Sequence, residues 1–417
     1  MTIAGLLWGA IALVLFFYPN IKYLLALTMV GMTLQCVNVV QISGQGIGPQ
    51  IITSALFVAR VILMELPQIR VPVRRNACLM GSMILVFMSA TISLISNGLL
   101  GTKMLVLLQL LIYILCYICM VKISSSIDED FIFRLIKGIT VFLLIVGIIQ
   151  LLITTNIIPR LGIVSQLLFN EKRGAVYYYH NNYMRITSTY MEPSYYAGFI
   201  VGAFYYILER AGFDRNKLLL FVIVFEIVFT FSSTAYATVC LIGIVYILTS
   251  DMPIKRKTEF IAVGLLLIVI MYFGFYNVLD KVIFSKGTSG SANKRNNMNA
   301  RAFADFFDKP IYGHGYKNYR ASSIIYCILA ELGLLGIISY LCMLCSVVVL
   351  FFNKKWNERK GKKAILFAVL AGFIAQLIAC PDLDLCTFWL WMYFLGLYCK
   401  PKYEANKKIE FPQLREV

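Results

Sequence analysis

Along the chain, apolar runs of about 15 to 25 residues alternate with short polar breaks. A helix needs roughly 20 apolar residues to cross the hydrocarbon core of a bilayer. Inside lipid every backbone N–H and C=O must be bonded internally, so runs of this kind are helices. The pattern predicts an all-α, polytopic integral membrane protein with about thirteen transmembrane helices (twelve to fourteen). They are expected near 3–18, 21–42, 47–66, 77–96, 103–121, 135–153, 194–209, 217–231, 235–250, 259–278, 322–352, 363–380 and 385–400. The chain is expected to form a single transmembrane domain, 1–417, with long loops at 154–193 and 278–321 and a basic tail at 400–417. The first run, Ile3 to Tyr18, lacks a basic flank, and no small-residue cleavage site precedes the next apolar run. It is expected to be a retained helix and not a signal peptide.

Composition agrees with this picture. Hydrophobic residues make up 60% of the chain and charged residues 14%, against about 25% charged in an ordinary soluble domain. The 11 cysteines are scattered along the apolar runs. The C-x-x-C pairs Cys116/Cys119 and Cys342/Cys345 lie in apolar segments with no nearby histidine. They are expected to be small buried residues and not a zinc site. Cys380 and Cys386 flank a short loop and are a candidate pair.

Charge sets the expected orientation. Basic short loops occur at Arg70–Arg75, Arg210–Lys217, Lys255–Lys257 and 353–363, and the tail adds Lys400, Lys402, Lys407 and Lys408. All fall on one side of a thirteen-helix arrangement, and the positive-inside rule makes that side cytoplasmic. The short loops 43–49 and 381–385 carry no Lys or Arg and fall on the outer side. Both long loops also fall outside, yet they break the trend. The first carries Arg160, Lys172, Arg173 and Arg185 against Glu171 and Glu192. The second carries Lys281, Lys286, Lys294, Arg295, Arg301, Lys309, Lys317 and Arg320 against Asp280, Asp305 and Asp308. Long loops partly escape the charge rule, so one reading is a solvated basic surface. The other is an anion site, since arginine's planar fork suits phosphate. Nucleic acid is not expected at an exterior membrane loop, and a lipid-linked phosphate or diphosphate is the natural candidate.

Short amphipathic helices are expected within these loops. In 160–170, Leu161, Val164, Leu167 and Leu168 recur at helical spacing, and in 298–307, Met298, Ala302, Phe303, Phe306 and Phe307 do the same. Tyr177, Tyr178, Tyr179, Tyr183 and Tyr190 beside Arg185 suit sugar stacking, though tyrosines are also ordinary at a membrane interface. Within the apolar runs Arg60, Glu226 and Glu331 stand out, because a charge at mid-bilayer usually faces a cavity or a partner. Arg60 lies near the inner end of its run and is placed to snorkel inward.

From Arg185 to Ser194 the chain reads R-I-T-S-T-Y-M-E-P-S, followed by Y-Y-A-G-F. This resembles the R-x-x-G-x-x-x-x-P pattern of the O-antigen polymerase and O-antigen ligase superfamily, in the Glu-Pro-Ser variant of many polysaccharide polymerases. From Asn299 to Tyr316, N-A-R-A-F-A-D-F-F-D-K-P-I-Y-G-H-G-Y resembles the family's Arg, aromatic stretch and P-x-x-G-x-G, here Arg301, Pro310, Gly313 and Gly315. From Ile328 to Gly336, I-L-A-E-L-G-L-L-G resembles the Glu-x-Gly helix that follows the large outer loop, with Glu331 and Gly333 in those places. The chain departs from the pattern at three points. The usual Ser-Arg is Ser232-Ser233-Thr234, the ligases' His-Asn pair is Ser322-Ser323, and the first pattern's Gly is Ser188.

The resemblance implies a membrane glycosyltransferase in the bacterial cytoplasmic (inner) membrane, with its active loops on the periplasmic or extracellular side. A glycan on polyprenyl diphosphate would be the donor, and the free hydroxyl of a lipid-linked repeat unit the acceptor. Such enzymes serve lipopolysaccharide or capsule biosynthesis. Arg185 and Arg301 are the first candidates to offset charge on the departing diphosphate, supported by Arg173, Lys317 and Arg320. Tyr190 is a candidate sugar contact. Glu192 is the first candidate for a general base and His314 the second. Plain structural roles compete: Glu192 can cap the helix beginning at Pro193, and Arg301 can pair with Asp305 at i, i+4. No cofactor or metal is expected, and Asp382-x-Asp384 is read as a chance D-x-D. A chain-length regulator and a flippase are possible partners. Two rival readings are a ligase that moves finished polymer to another acceptor and a non-enzymatic flippase of lipid-linked oligosaccharide. A mannosyltransferase-type enzyme would place acidic residues in its first outer loop, and 43–49 has none.

Overall fold

The computed structural model describes residues 3–37, 39–42, 45–65, 73–155, 157–158, 178–180, 183–250, 253–274, 276, 290–353, 356 and 360–399. Its α-helices are α1 (Ile3–Phe17), α2 (Ile21–Gly31), α3 (Pro49–Glu65), α4 (Val73–Ser96), α5 (Leu100–Ile123), α6 (Glu129–Thr154) and α7 (Pro193–Ala211). They continue with α8 (Lys217–Phe229), α9 (Ser233–Thr249), α10 (Ile254–Gly274), α11 (Gly290–Phe306), α12 (Ile324–Phe352), α13 (Lys360–Ala379) and α14 (Cys386–Tyr398). Two short antiparallel hairpins sit in the loops. Val40–Ile42 pairs with Gln45–Ile47, and Tyr178–His180 pairs with Tyr183–Arg185.

Every predicted apolar run contains a helix, and the protein is all-α with the character of a membrane protein. Among the described residues, five helices are long and apolar enough to cross a bilayer: Ala77–Ser96, Leu100–Ile123, Glu129–Ile153, Ile324–Phe352 and Gly361–Ala379. The larger count of about thirteen crossing helices is not confirmed. One reason is α2, which was expected to run to residue 42 but ends at Gly31, before the first hairpin. Another is α14, whose 13 residues reach about 20 Å, short of the roughly 30 Å hydrocarbon core.

That short helix is the centre of the molecule. Every residue from Cys386 to Tyr398 is buried, so α14 meets other helices on all sides. It packs against α13, α5 and α7, and the most extensive helix pair is α7 with α13. Gly198 and Gly202, one helical turn apart on α7, allow this close approach. A Cβ on Gly202 would come within 2.8 Å of Trp391 on α14, and one on Gly198 would press on Ala375 of α13 and Thr387 of α14. Trp391 stacks on Phe199 at 5.1 Å and donates to the Gly198 carbonyl at 3.1 Å. Small residues serve helix contacts in lipid because they let backbones approach closely. The outer faces carry exposed Leu85, Met88, Ile95, Ile145, Leu265 and Val349, a normal surface against hydrocarbon and a liability against water.

The helix connections gather at two ends. At one end, basic residues are tied to helix termini: Arg210 to Asp130 (3.1 Å), Lys217 to Asp214 (3.2 Å) and Lys363 to the Thr249 carbonyl (2.8 Å). At the other end the long-loop segments meet the start of α7, the 230–232 turn and the 380–385 loop.

Arg60 reaches the end of α1. It is buried on α3 and donates to the carbonyls of Leu15 (3.2 Å), Phe16 and Pro19 (3.1 Å), capping the C-terminal end of α1. Cys380 and Cys386 are free thiols and not a disulfide. Cys380 Sγ lies 3.5 Å from the Ser194 carbonyl, and Cys386 Sγ 3.5 Å from the Tyr113 hydroxyl.

Candidate functional site

The site is built around a break in α12. Gly333 has φ +64°, which interrupts the helix. The break removes two i→i−4 bonds, freeing the carbonyls of Ala330 and Glu331 and the amides of Leu334 and Leu335. Segment 310–315 replaces all four partners. His314 N–H donates to Ala330 (2.8 Å), and Gly315 N–H donates to Glu331 (3.1 Å). Leu334 N–H donates to Pro310 (2.8 Å), and Leu335 N–H donates to Ile311 (3.2 Å). Unpaired backbone groups are costly in a bundle that excludes water, so the P-x-x-G-x-G segment and the Glu-x-Gly helix form one unit. The approach is close enough that a Cβ on Gly333 would lie 2.6 Å from the Pro310 carbonyl oxygen, and one on Gly313 would overlap the Glu331 carbonyl. From α4, Ser93 Oγ donates to the Glu331 carbonyl (2.6 Å) and Asn97 Nδ2 to the Gly313 carbonyl (2.9 Å).

This unit delivers Lys317 to a carboxylate pair. Lys317 Nζ lies 2.5 Å from Asp382 Oδ1 and 2.6 Å from Asp384 Oδ1. Its backbone has φ +57°, unusual for a residue with a side chain, and its carbonyl accepts from Lys103 Nζ at 3.0 Å. Asp382 also accepts from the Tyr195 hydroxyl (2.9 Å), and Asp384 from Gln109 Nε2 (3.2 Å). The 380–385 loop is pinned by Gln376 Nε2 on the Asp382 carbonyl (2.9 Å) and Trp389 Nε1 on the Leu383 carbonyl (2.8 Å). Residues from α5, α7, the 310–321 segment and the α13–α14 loop therefore meet at one point.

The electrostatics separate the two carboxylates. Burial alone would raise Asp382, but the Lys317 ammonium and the hydrogen bonds from Lys317 and Tyr195 outweigh it and hold Asp382 below the usual aspartate range. Burial keeps Asp384 above its usual range; Lys317 offsets this in part, and the charge on Asp382 adds to it. Burial disfavours the Lys317 ammonium, yet the carboxylates of Asp384 and Asp382 prevail and keep it firmly protonated. Glu331 is buried beside them and accepts the Tyr319 N–H at 3.3 Å.

The residues predicted from sequence divide into groups. Lys317 and Arg320 join the cluster, Arg320 as an exposed cation whose field lowers Asp382. Glu192 stands beside it at the N-cap of α7, where its carbonyl accepts from Tyr195 (3.1 Å) and Tyr196 (3.2 Å) and its Oε2 accepts from Ser194 Oγ (3.3 Å). Arg185 is buried one layer away, its Nε donating to the Thr230 carbonyl at 3.1 Å. Arg301 points outward, 81% exposed, with Asp305 3.7 Å away at i, i+4. His314 Nε2 lies 2.8 Å from the Asp305 carbonyl, so its imidazole braces the end of α11. Tyr190 packs as core, 1% exposed and stacked on Tyr196 (5.7 Å), which turns its ring away from any sugar. Arg173 and the helical stretch expected over 160–170 lie outside the described residues.

Ser188 keeps the tight turn that the family pattern assigns to glycine, at φ +51°. Its amide donates to Gln150 Oε1 (2.9 Å) and its Oγ to the Leu143 carbonyl (2.8 Å). The α11 helix expected over 298–307 is present and longer, and Asn299 ties it to Ser322 through two hydrogen bonds of 3.1 and 2.9 Å.

Sequence reasoning missed Asp382 and Asp384 as site residues, together with Tyr195, Tyr316 and Gln109. The D-x-D spacing was the available signal; the lysine that bridges it lies 65 positions away from Asp382. Among the described residues no group of three or more His, Cys, Asp or Glu is placed to hold a metal ion. No protein-family model matches the chain, and no curated protein is significantly similar to it.

Proposed function

We propose that this chain is a membrane glycosyltransferase of the polysaccharide-polymerase type. It transfers a growing glycan from polyprenyl diphosphate onto the free hydroxyl of a lipid-linked repeat unit, at the outer face of a bacterial cytoplasmic membrane. The observation that carries this reading is spatial. The three segments that resemble the polymerase and ligase superfamily's motifs lie together at one end of the bundle. Two of them, 310–315 and 330–335, exchange backbone hydrogen bonds, and the third, 185–194, is followed at once by Tyr195, which joins the Lys317 cluster.

A transfer of this kind needs cations for the departing diphosphate and a carboxylate for the acceptor hydroxyl. Arg320 and Arg301 are exposed at this end, and Asp382 and Glu192 are partly exposed. In this proposal Arg301 and Arg320 meet the diphosphate. Arg185, bonded to the 230–232 turn, shapes the floor of the site. The ligase rival is disfavoured at Ser322 and Ser323, the positions of the His-Asn pair. Here they bond Asn299 and the Leu377 carbonyl (2.7 Å) and offer no imidazole.

The decisive experiment supplies the purified full chain with a lipid-linked repeat unit isolated from cells that lack it. A polymer ladder with release of polyprenyl diphosphate is the expected result. Absence of extension, or transfer of preformed polymer to a different carrier, would sink the proposal.

A further inference from the structure

The Lys317 cluster holds more than a salt bridge requires. The Tyr316 hydroxyl is fully buried with no hydrogen-bond partner among the described residues, and it lies in the field of Asp384, Lys317, Glu331 and Asp382. That hydroxyl has hydrogen-bonding capacity left over for a water or a substrate hydroxyl beside the carboxylates. The cluster also opens outward on one side. The side chain of Asp382 is 33% exposed, against 24% for Lys317 and 10% for Asp384.

We propose that Asp382 is the base that accepts the proton of the acceptor sugar's hydroxyl, and that Lys317 and Tyr195 are positioning residues that aim its carboxylate. This rests on the glycosyltransferase reading above. In the step, the acceptor oxygen bonds to the donor's anomeric carbon as the bond from that carbon to the diphosphate oxygen breaks. The electron pair leaves with the lipid diphosphate, and the hydroxyl proton passes to an Asp382 carboxylate oxygen and then to water. In transfer from a diphosphate the proton leaves late, once the attacking hydroxyl has become acidic, so a firmly ionised carboxylate is a sufficient base. Asp382 fits this role better than its neighbours. Glu331 is buried, and Asp384 is the least exposed of the three groups in the Lys317 bridge. Glu192 has no cation bridged to it among the described residues and accepts from Ser194 at the α7 cap. The ammonium also sits between the two D-x-D carboxylates, where a bridging divalent cation would otherwise stand.

The groups facing Asp382 are Lys317, Tyr316 and Arg320 from the 310–321 segment, Tyr195 from the start of α7, Cys327 and Glu331 from α12, and Cys380 and Asp384 from its own loop, with Glu192 and Arg295 beyond them against Cys380. Lys317 is the dominant cation among them, so its removal must raise the Asp382 pKa.

The test measures initial rates with the purified full chain and the lipid-linked repeat unit isolated from cells lacking it. Asp382→Asn is expected to lower kcat at least 100-fold with KM changed less than threefold, and Asp382→Glu to recover at least tenfold of that loss. Lys317→Met is expected to move the acid limb of the kcat profile to higher pH by a unit or more, an effect that a purely structural role would not produce. A kcat for Asp382→Asn within threefold of wild type, or a loss expressed in KM alone, overturns the proposal while leaving the polymerase reading intact. If Asp382→Asn does not accumulate, the Lys317→Met profile decides, and an unmoved acid limb overturns the assignment. A wild-type protein that makes no polymer overturns both.

Discussion

Lys317, Arg60 and Ser188 show how single residues settle local questions in this bundle. Arg60 is charged and buried on α3, yet its fork reaches three carbonyls at the end of α1. Leaving those acceptors unpaired is expected to cost about 2–4 kcal/mol in Arg60→Leu. Arg60→Lys should recover less than half of this, because one ammonium cannot span the three positions; thermal melts in detergent provide the check. Ser188 occupies a left-handed turn at φ +51° where glycine would be unstrained. Ser188→Gly is therefore expected to stay within about 1 kcal/mol of wild type, and Ser188→Val to lose about 1–3 kcal/mol to backbone strain. The same melts distinguish these outcomes. At the Lys317 cluster the sign of the pH effect follows from Asp382. Its folded pKa is depressed, so its contribution is present above the unfolded aspartate value of about 3.9 and is lost as pH falls through the folded one. Below about pH 4 the melting temperature of wild type should fall more steeply than that of Asp382→Asn. Parallel curves would contradict this account.

Among the elements, the broken α12 is the most informative. The periodicity of residues 322–352 predicts one continuous apolar helix, and nothing in that pattern forecasts a break at Gly333. The break is tolerable because 310–315 supplies every hydrogen-bond partner that it removes. The two glycine-containing segments are thus halves of one joint. Gly333→Ala and Gly313→Ala should each destabilise the protein by about 2 kcal/mol or more, since the added Cβ meets backbone atoms and the positive φ disfavours a side chain. Both should loosen 310–317 specifically, seen as faster hydrogen exchange there than in α7. Uniform protection in the two variants would argue against a shared joint. α14 shows what an apolar pattern leaves open. Its apolar run reads as one more membrane span, and its 13 helical residues are all buried among other helices. Periodicity cannot separate a helix facing lipid from one facing other helices, because both are apolar all round.

For the whole molecule, loop charge predicts an orientation that a labelling experiment tests. Arg210, Lys217 and Lys363 lie at one end of the bundle and the Lys317 cluster at the other, and the sequence assigns the first end to the cytoplasm. In a cysteine-free background, Arg320→Cys is expected to react with a membrane-impermeant maleimide in intact spheroplasts, and Arg215→Cys only after lysis. Reaction of both in intact spheroplasts, or the reverse pattern, would refute the orientation. The sequence by itself determined the all-α membrane character, the helical segments and the residue classes that gather at the loop-rich end. Apolar run length and loop charge are local quantities, written directly in residue order. Only the tertiary structure decided which of those residues meet. It joined Lys317 to Asp382 across 65 positions and to the neighbouring Asp384, withdrew Tyr190 into the core and turned Arg301 outward. These outcomes depend on how α7, α12 and the α13–α14 loop pack, and the geometry of that packing follows from glycines and backbone exchanges whose partners are distant in the chain.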